Sequence, residues 1–172
     1  MNWREALDAS RLLDQLARFD VHVAGTFPLG LALEGSDIDL LCHARDPGEV
    51  AGYLWAQHRW RPGFAIYQWR RDPRPLIAAF MVEGVPVEVF AAAVPVAQQA
   101  GWLHFEVEQR LLALGGDSLR GAVMALRTQG AKTEPAFARV LGLSGDPYVA
   151  MLALAAHDDA ALRALLERAA FA

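Results

Sequence analysis

The stretch that most constrains the fold is LIAAFMVEGVPVEVF, residues 76–90. Two runs of apolar, β-prone residues, Leu76–Val82 and Val85–Phe90, are separated only by Glu83-Gly84. That spacing predicts two antiparallel strands joined by a tight hairpin. Shorter runs of the same kind at Val21–Ala24, Ile38–Cys42 and Phe64–Trp69 supply further strands. Between and before them the period changes. Residues 4–19 place Leu7, Leu12, Leu13, Leu16 and Phe19 on one helical stripe, and residues 47–58 read as a helix with Pro47 in its first turn and Asp46 as its cap. From Val96 the strand signals stop. Helices are expected near 96–114, 118–129, 134–141, 147–157 and 159–170, punctuated by Gly115-Gly116, Gly130, Gly142 and Gly145. The expected organisation is an α/β (α+β) core over residues 1–92, with a mixed sheet of about five strands. A C-terminal helical bundle over residues 93–172 follows, packed on the core as one compact unit and closing one side of a cleft.

At 172 residues and 54% apolar content the chain buries a core of ordinary domain size. Its single cysteine, Cys42, sits inside an apolar strand and reads as a core residue. With no disulfide framework, the expectation is an intracellular, cytoplasmic protein. No basic leader precedes an apolar stretch, and no segment reaches the roughly 18 apolar residues that span a bilayer, so no membrane partner is expected. The net charge of −4 gives no overall pull toward nucleic acid, although Arg59, Arg61, Arg70, Arg71 and Arg74 form a local positive excess. Fifteen of the sixteen basic residues are arginine, which singles out Lys132.

The chemistry concentrates in GTFPLGLALEGSDIDL, residues 25–40. In a strand, alternate side chains share a face, so Asp37 and Asp39 point together while Ile38 and Leu40 point to the core. Two carboxylates this close repel and raise each other's pKa, and a bound divalent cation relieves that cost. Glu88, flanked by Val87 and Val89 in the hairpin, offers a third acid if its strand lies beside the Asp strand. Three hard oxygen ligands suit Mg²⁺ or Mn²⁺. Gly25 permits a tight turn, and Thr26 offers a hydroxyl and an amide to a phosphate, with Pro28 placed to open a short helix.

This order resembles the nucleotidyltransferases related to DNA polymerase beta: an apolar strand, Gly-Gly or Gly-Ser, a short helix, Asp-x-Asp, and later a strand-borne third acid. Gly25-Thr26, Asp37-Ile38-Asp39 and Val87-Glu88-Val89 carry the resemblance, over about residues 20–90. More of the chain, including EVFAAAVPVAQQAGWLHFEVEQRLLALGG and GAKTEPAFARVLGLSGDPY, is similar to a group of small bacterial proteins of that superfamily without an assigned reaction. The resemblance implies a nucleotidyltransferase-like mixed sheet and transfer of a nucleoside monophosphate from an NTP to a hydroxyl. It makes Asp37, Asp39 and Glu88 both the catalytic residues and the metal ligands. Gly25 and Thr26, with Ser36, become candidate nucleotide-binding residues. Residues 27–36 hold no arginine or lysine where many such enzymes place one near the phosphates. Arg71 in its cluster and Lys132 are candidate substitutes, since the transferred phosphoryl group needs cations.

In the helical half, His104 and Arg110 are candidates to touch nucleotide or acceptor, while Glu106 and Arg110 are spaced for an ordinary i,i+4 pair. Trp102, Phe105 and Tyr148 are spaced for core packing, with stacking on a nucleobase as the alternative. The expected partners are a nucleotide and a small-molecule acceptor, with an RNA end or a protein side chain as alternatives and long nucleic acid least favoured. A catalytically silent nucleotide- or metal-binding module on the same fold is the competing reading, because of the missing basic residue before Asp37.

Overall fold

A computed structural model describes residues 2–70 and 74–171. The chain divides into two compact units, Met1–Trp102 and Leu103–Ala172. The first holds helices α1 (Trp3–Ser10), α2 (Leu12–Leu16), α3 (Thr26–Leu29) and α4 (Pro47–His58), and strands β1 (His22–Ala24), β2 (Ile38–His43), β3 (Ala65–Gln68), β4 (Leu76–Val82) and β5 (Val85–Ala92).

The strands form one sheet in the order β1-β2-β5-β4-β3. The β2–β5 pair is parallel and the other three pairs are antiparallel. The hairpin expected at Glu83-Gly84 is present, with φ of 49° and 81° at its two turn residues and Val82 opposite Val85. Positive φ at both positions gives the turn a twist that matches the strands. One face of the sheet is apolar: Ile38, Leu40 and Cys42 of β2, Val87, Val89 and Ala91 of β5, and Ala78, Phe80 and Val82 of β4 are buried in one cluster with Leu7, Leu12, Leu16, Val50 and Leu54 of the helices. Burial pushes the Cys42 thiol up to about 12, with the charge of Asp20 adding to the shift, so it behaves as an inert core group.

The single helix expected over residues 4–19 is instead two helices and a 3₁₀ turn, broken where Arg11 adopts φ 53°. A non-glycine residue in that region costs about 1 kcal/mol. The apolar stripe survives the break, because Leu7, Leu12, Leu16 and Phe19 are all buried. Helix α4 matches expectation at both ends, with the Asp46 carboxylate accepting from the Gly48 amide at 2.8 Å.

Most of helix α5 (Ala100–Arg127) lies in the second unit, with α6 (Thr133–Val140), α7 (Pro147–Leu154) and α8 (Asp159–Arg168). Helix α5 is interrupted where the sequence placed Gly115-Gly116: Gly116 has φ 59° and ψ −153°, outside helical values and open only to glycine. Asp146 caps α7 by accepting from the amides of Tyr148 and Val149, each at 3.0 Å, and Asp158 caps α8. Leu111, Leu119, Phe137, Met151 and Leu162 are fully buried. Among the described residues, no helix is long and apolar enough to cross a membrane.

Candidate metal centre

The site is built by the parallel pairing of β2 and β5. Their register sets Asp39 directly beside Glu88, with Ile38 beside Val87 and Leu40 beside Val89. The four flanking residues are at most 2% exposed, so their packing fixes the strand faces and leaves both acids on the opposite side. Asp37, one residue before β2, joins them. One carboxylate oxygen from each of Asp37, Asp39 and Glu88 lies within 4.8 Å of the other two, and all three residues are half-buried. The convergence expected from the sequence is therefore present. Oxygen-only donors this close, partly shielded from water, fit a hard divalent ion such as Mg²⁺ or Mn²⁺.

Gly25 is fixed by one of these acids, Asp39. It follows β1, which pairs with β2 so that Ala24 faces Asp39, and its φ of 74° with ψ −158° is accessible only to glycine. A Cβ there would fall 2.7 Å from Asp39 Cγ and closer still to Oδ2. The backbone thus packs against the carboxylate and leaves no room for a side chain. Thr26 opens the single turn of α3, so the short helix begins there and not at Pro28. Ser36 closes the loop before Asp37: its hydroxyl accepts from the Leu33 amide at 2.9 Å and its own amide donates to the Leu33 carbonyl at 3.0 Å.

Tyr67 was not singled out by the sequence. The pKa of its phenol is raised by burial first, then by the charge of Glu88 and by hydrogen bonding with that carboxylate, which puts the hydroxyl beside Glu88. The signal was the strand period: Ala65 faces Ala79, which faces Glu88, and Tyr67 lies two residues from Ala65 on the same side. Without the pairing register that position has no address.

The remaining candidates fall in two places. Arg71 lies outside the described residues, while Arg70 and Arg74 of its cluster are exposed. His104, Arg110 and Lys132 belong to the second unit. His104 Nε2 donates to the Tyr148 carbonyl at 2.9 Å, and Nδ1 lies 3.6 Å from Glu134. Arg110 does not pair with Glu106 as its spacing predicted. Its guanidinium donates to Asp159 Oδ1, at 2.9 Å from Nε and 2.7 Å from Nη2, and to the His157 carbonyl at 2.7 Å. Lys132 is exposed at the start of α6. Phe105 is buried, as its helical spacing predicted, whereas Tyr148 is exposed. An open cavity of about 650 Å³ lined by Arg18, His43, Arg45, Glu49 and Tyr53 lies at the far end of β2 and includes none of the three acids.

A mixed five-stranded sheet of this order, with its flanking helices, is the nucleotidyltransferase fold. The chain is similar to a variant of the Cid1 poly(U) polymerase bound to MgATP, at 20% identity and a TM-score of 0.53, over 80% of this chain and 47% of that one. The GLD-2/RNP-8 complex matches at 12% identity and 0.52, over 82% and 58%. Cid1 with Mg and 3′-dATP matches at 15% and 0.52, over 88% and 48%. The chain thus spans about half the length of the solved structures it resembles. It belongs to the family described as a domain of unknown function, DUF4269, whose model matches residues 5–154. None of the curated proteins compared with it matches significantly.

Proposed function

We propose that this chain is a nucleotidyltransferase that moves a nucleoside monophosphate from an NTP to an acceptor hydroxyl and releases pyrophosphate. The observation that carries the reading is the convergence of Asp37, Asp39 and Glu88 within 4.8 Å on one face of a nucleotidyltransferase-type sheet. Asp37, Asp39 and Glu88 would hold Mg²⁺ or Mn²⁺, which supplies charge compensation for the phosphates and for the oxygens that enter and leave at phosphorus. Glu88 accepts the proton of the acceptor hydroxyl as its oxygen bonds to the α-phosphorus and the bond to the bridging oxygen of the leaving pyrophosphate breaks. Gly25 and Thr26 present backbone amides and a hydroxyl to the β/γ phosphates, and Ser36 holds the loop that delivers Asp37. Lys132, Arg71, His104 and Arg110 are the further groups assigned to the nucleotide. In this reading residues 1–92 form the catalytic core, and residues 93–172 are the helical region that follows it. The described relatives bound to MgATP and to Mg with 3′-dATP support a nucleotide substrate.

The test is Mn²⁺ affinity and NTP turnover in wild type against Asp39→Asn. Loss of both in the variant supports the reading, and equal behaviour removes it. A second reading, a catalytically silent module, is favoured by the absence of arginine and lysine from residues 27–36. It predicts that Mg²⁺ alone raises the melting temperature and that adding any NTP raises it no further.

A further inference from the structure

Beside the acids, the outermost strand carries two aromatic side chains that the core does not use. Among the described residues, strand β3 pairs only with β4, at the edge of the sheet. Tyr67 is 48% exposed and Trp69, just past the strand, is 53% exposed. Single exposed aromatics are common on protein surfaces. These two differ in being tied to the acidic face. Tyr67 lies on the same side of the sheet as Glu88, near enough for that carboxylate to raise the phenol's pKa. On β4, Ala79 is opposite Glu88 and Ile77 is opposite Tyr67, so the phenol and the carboxylate lie diagonally across that strand, beside the short Ala79 side chain. The Trp69 indole meets Phe90 edge-on, with centroids 6.1 Å apart, and Phe90 lies two residues from Glu88 on the same side of β5. The indole is therefore on the face of the acids with about half its surface open.

We propose that the β3 edge is the acceptor side of the site, a proposal that rests on the nucleotidyl-transfer reading above. The Trp69 indole takes the ring of a hydroxyl-bearing acceptor, and Tyr67 is a positioning residue that holds Glu88 where that hydroxyl arrives. The ligand chemistry is a ring with a flat face, π or C–H, and a hydroxyl at its rim. A nucleoside and a sugar both present it. An indole serves either, since its electron-rich face attracts polarised C–H groups as well as aromatic rings. A phenol bonded to the carboxylate restricts its rotation, so that Glu88 meets the acceptor with one oxygen in a set direction.

The experiment measures saturation-transfer NMR in metal-free buffer with two separate probes, adenosine and methyl glucoside. Without a divalent ion, metal coordination does not contribute, so the signal reports the platform and hydrogen bonds from the probe's hydroxyls. At least one probe should show ring-proton saturation with wild type, weakened about fivefold or more in Trp69→Ala and largely retained in Trp69→Phe. Which probe binds tells a nucleoside acceptor from a sugar. Binding of neither probe, or equal binding by wild type and Trp69→Ala, overturns the platform. For Tyr67→Phe, Mn²⁺ affinity should fall about threefold to tenfold with an unchanged apo melting temperature, whereas a merely structural tyrosine lowers the melting temperature and leaves Mn²⁺ affinity alone. Mn²⁺ titration of Asp39→Asn separates the failures. If wild type and Asp39→Asn bind Mn²⁺ alike while the probes still depend on Trp69, the metal reading fails and the platform stands.

Discussion

Acid should unfold this protein partly through one histidine. His58 ends α4 at 2% exposure, stacked on Phe80 with ring centroids 5.1 Å apart and planes 4° apart. Its Nδ1 accepts from Arg61 Nε at 3.0 Å, which places the proton of the neutral ring on Nε2, and that buried atom has no partner among the described residues. Burial first, and the Arg61 charge second, lower the pKa from 6.5 to about 4. The unfolded chain therefore binds a proton near pH 6.5 that the folded chain refuses until about pH 4. Stability is full above the unfolded value and falls as pH drops through that window. Integrated from pH 7 to pH 5, the loss is about 2 kcal/mol. Urea unfolding of wild type and His58→Gln at both pH values isolates the term, because carboxylates and the other histidines contribute equally to both proteins. Wild type should lose about 2 kcal/mol more than the variant over that range. Equal losses would mean that the ring is protonated in the folded state without penalty, and the reasoning from burial would be wrong.

Gly25→Ala places a methyl on the Asp39 carboxylate and demands a left-sided backbone of an L-residue. It should cost about 1–3 kcal/mol in denaturant unfolding and weaken Mn²⁺ binding at least tenfold, read by calorimetric titration. Asp39→Asn relieves like-charge repulsion among the three acids. Its apo melting temperature should hold or rise, while the stabilisation by saturating Mn²⁺, about 2.7 kcal/mol at a hundredfold excess over Kd, disappears. In the second unit, Asp146→Ala removes the two capping bonds of α7. The expected cost is about 1 kcal/mol by urea unfolding, and an unchanged midpoint would show that water replaces the carboxylate without loss.

Local patterns were legible where the physics is local. The hairpin at Glu83-Gly84, the Asp46-Pro47 start of α4 and the interruption at Gly116 each depend on residues within a few positions of one another. The acids were legible because strand alternation places Asp37 and Asp39 together before any partner is known. What was hidden depends on distant partners. The break at Arg11 follows no glycine or proline, so only tertiary packing of Leu12 and Leu16 into the sheet's core could have announced it. Arg110 has a helical neighbour of opposite charge at Glu106 yet bonds Asp159, 49 residues away. Tyr67 reaches Glu88 across an intervening strand, a relation visible only once two registers are known.

The convergence of the acids is enforced from the opposite face of the sheet. Asp39 and Glu88 sit side by side because β2 and β5 are parallel and in register, with Ile38, Leu40, Val87 and Val89 all packed beneath them. Side chains alternate along a strand, so a slip of β5 by one residue would drive Glu88 into that core and lift Val87 and Val89 toward water. Each valine so exposed forfeits about 1.5 kcal/mol or more, and an unpaired carboxylate in the core costs several kcal/mol besides. The repulsion that such a slip would relieve is that of Glu88 with Asp37 and with Asp39, two pairs at about 3 kcal/mol each for charges about 5 Å apart at the effective dielectric of a protein surface, a sum of the same order as the cost of the slip. The apolar alternation thus offsets the repulsion and sets the register that brings the three like charges together. A metal then enters a site already assembled, so its binding energy is not consumed in bringing the acids together, and the whole of it appears as affinity and as the stabilisation of the folded state that goes with binding.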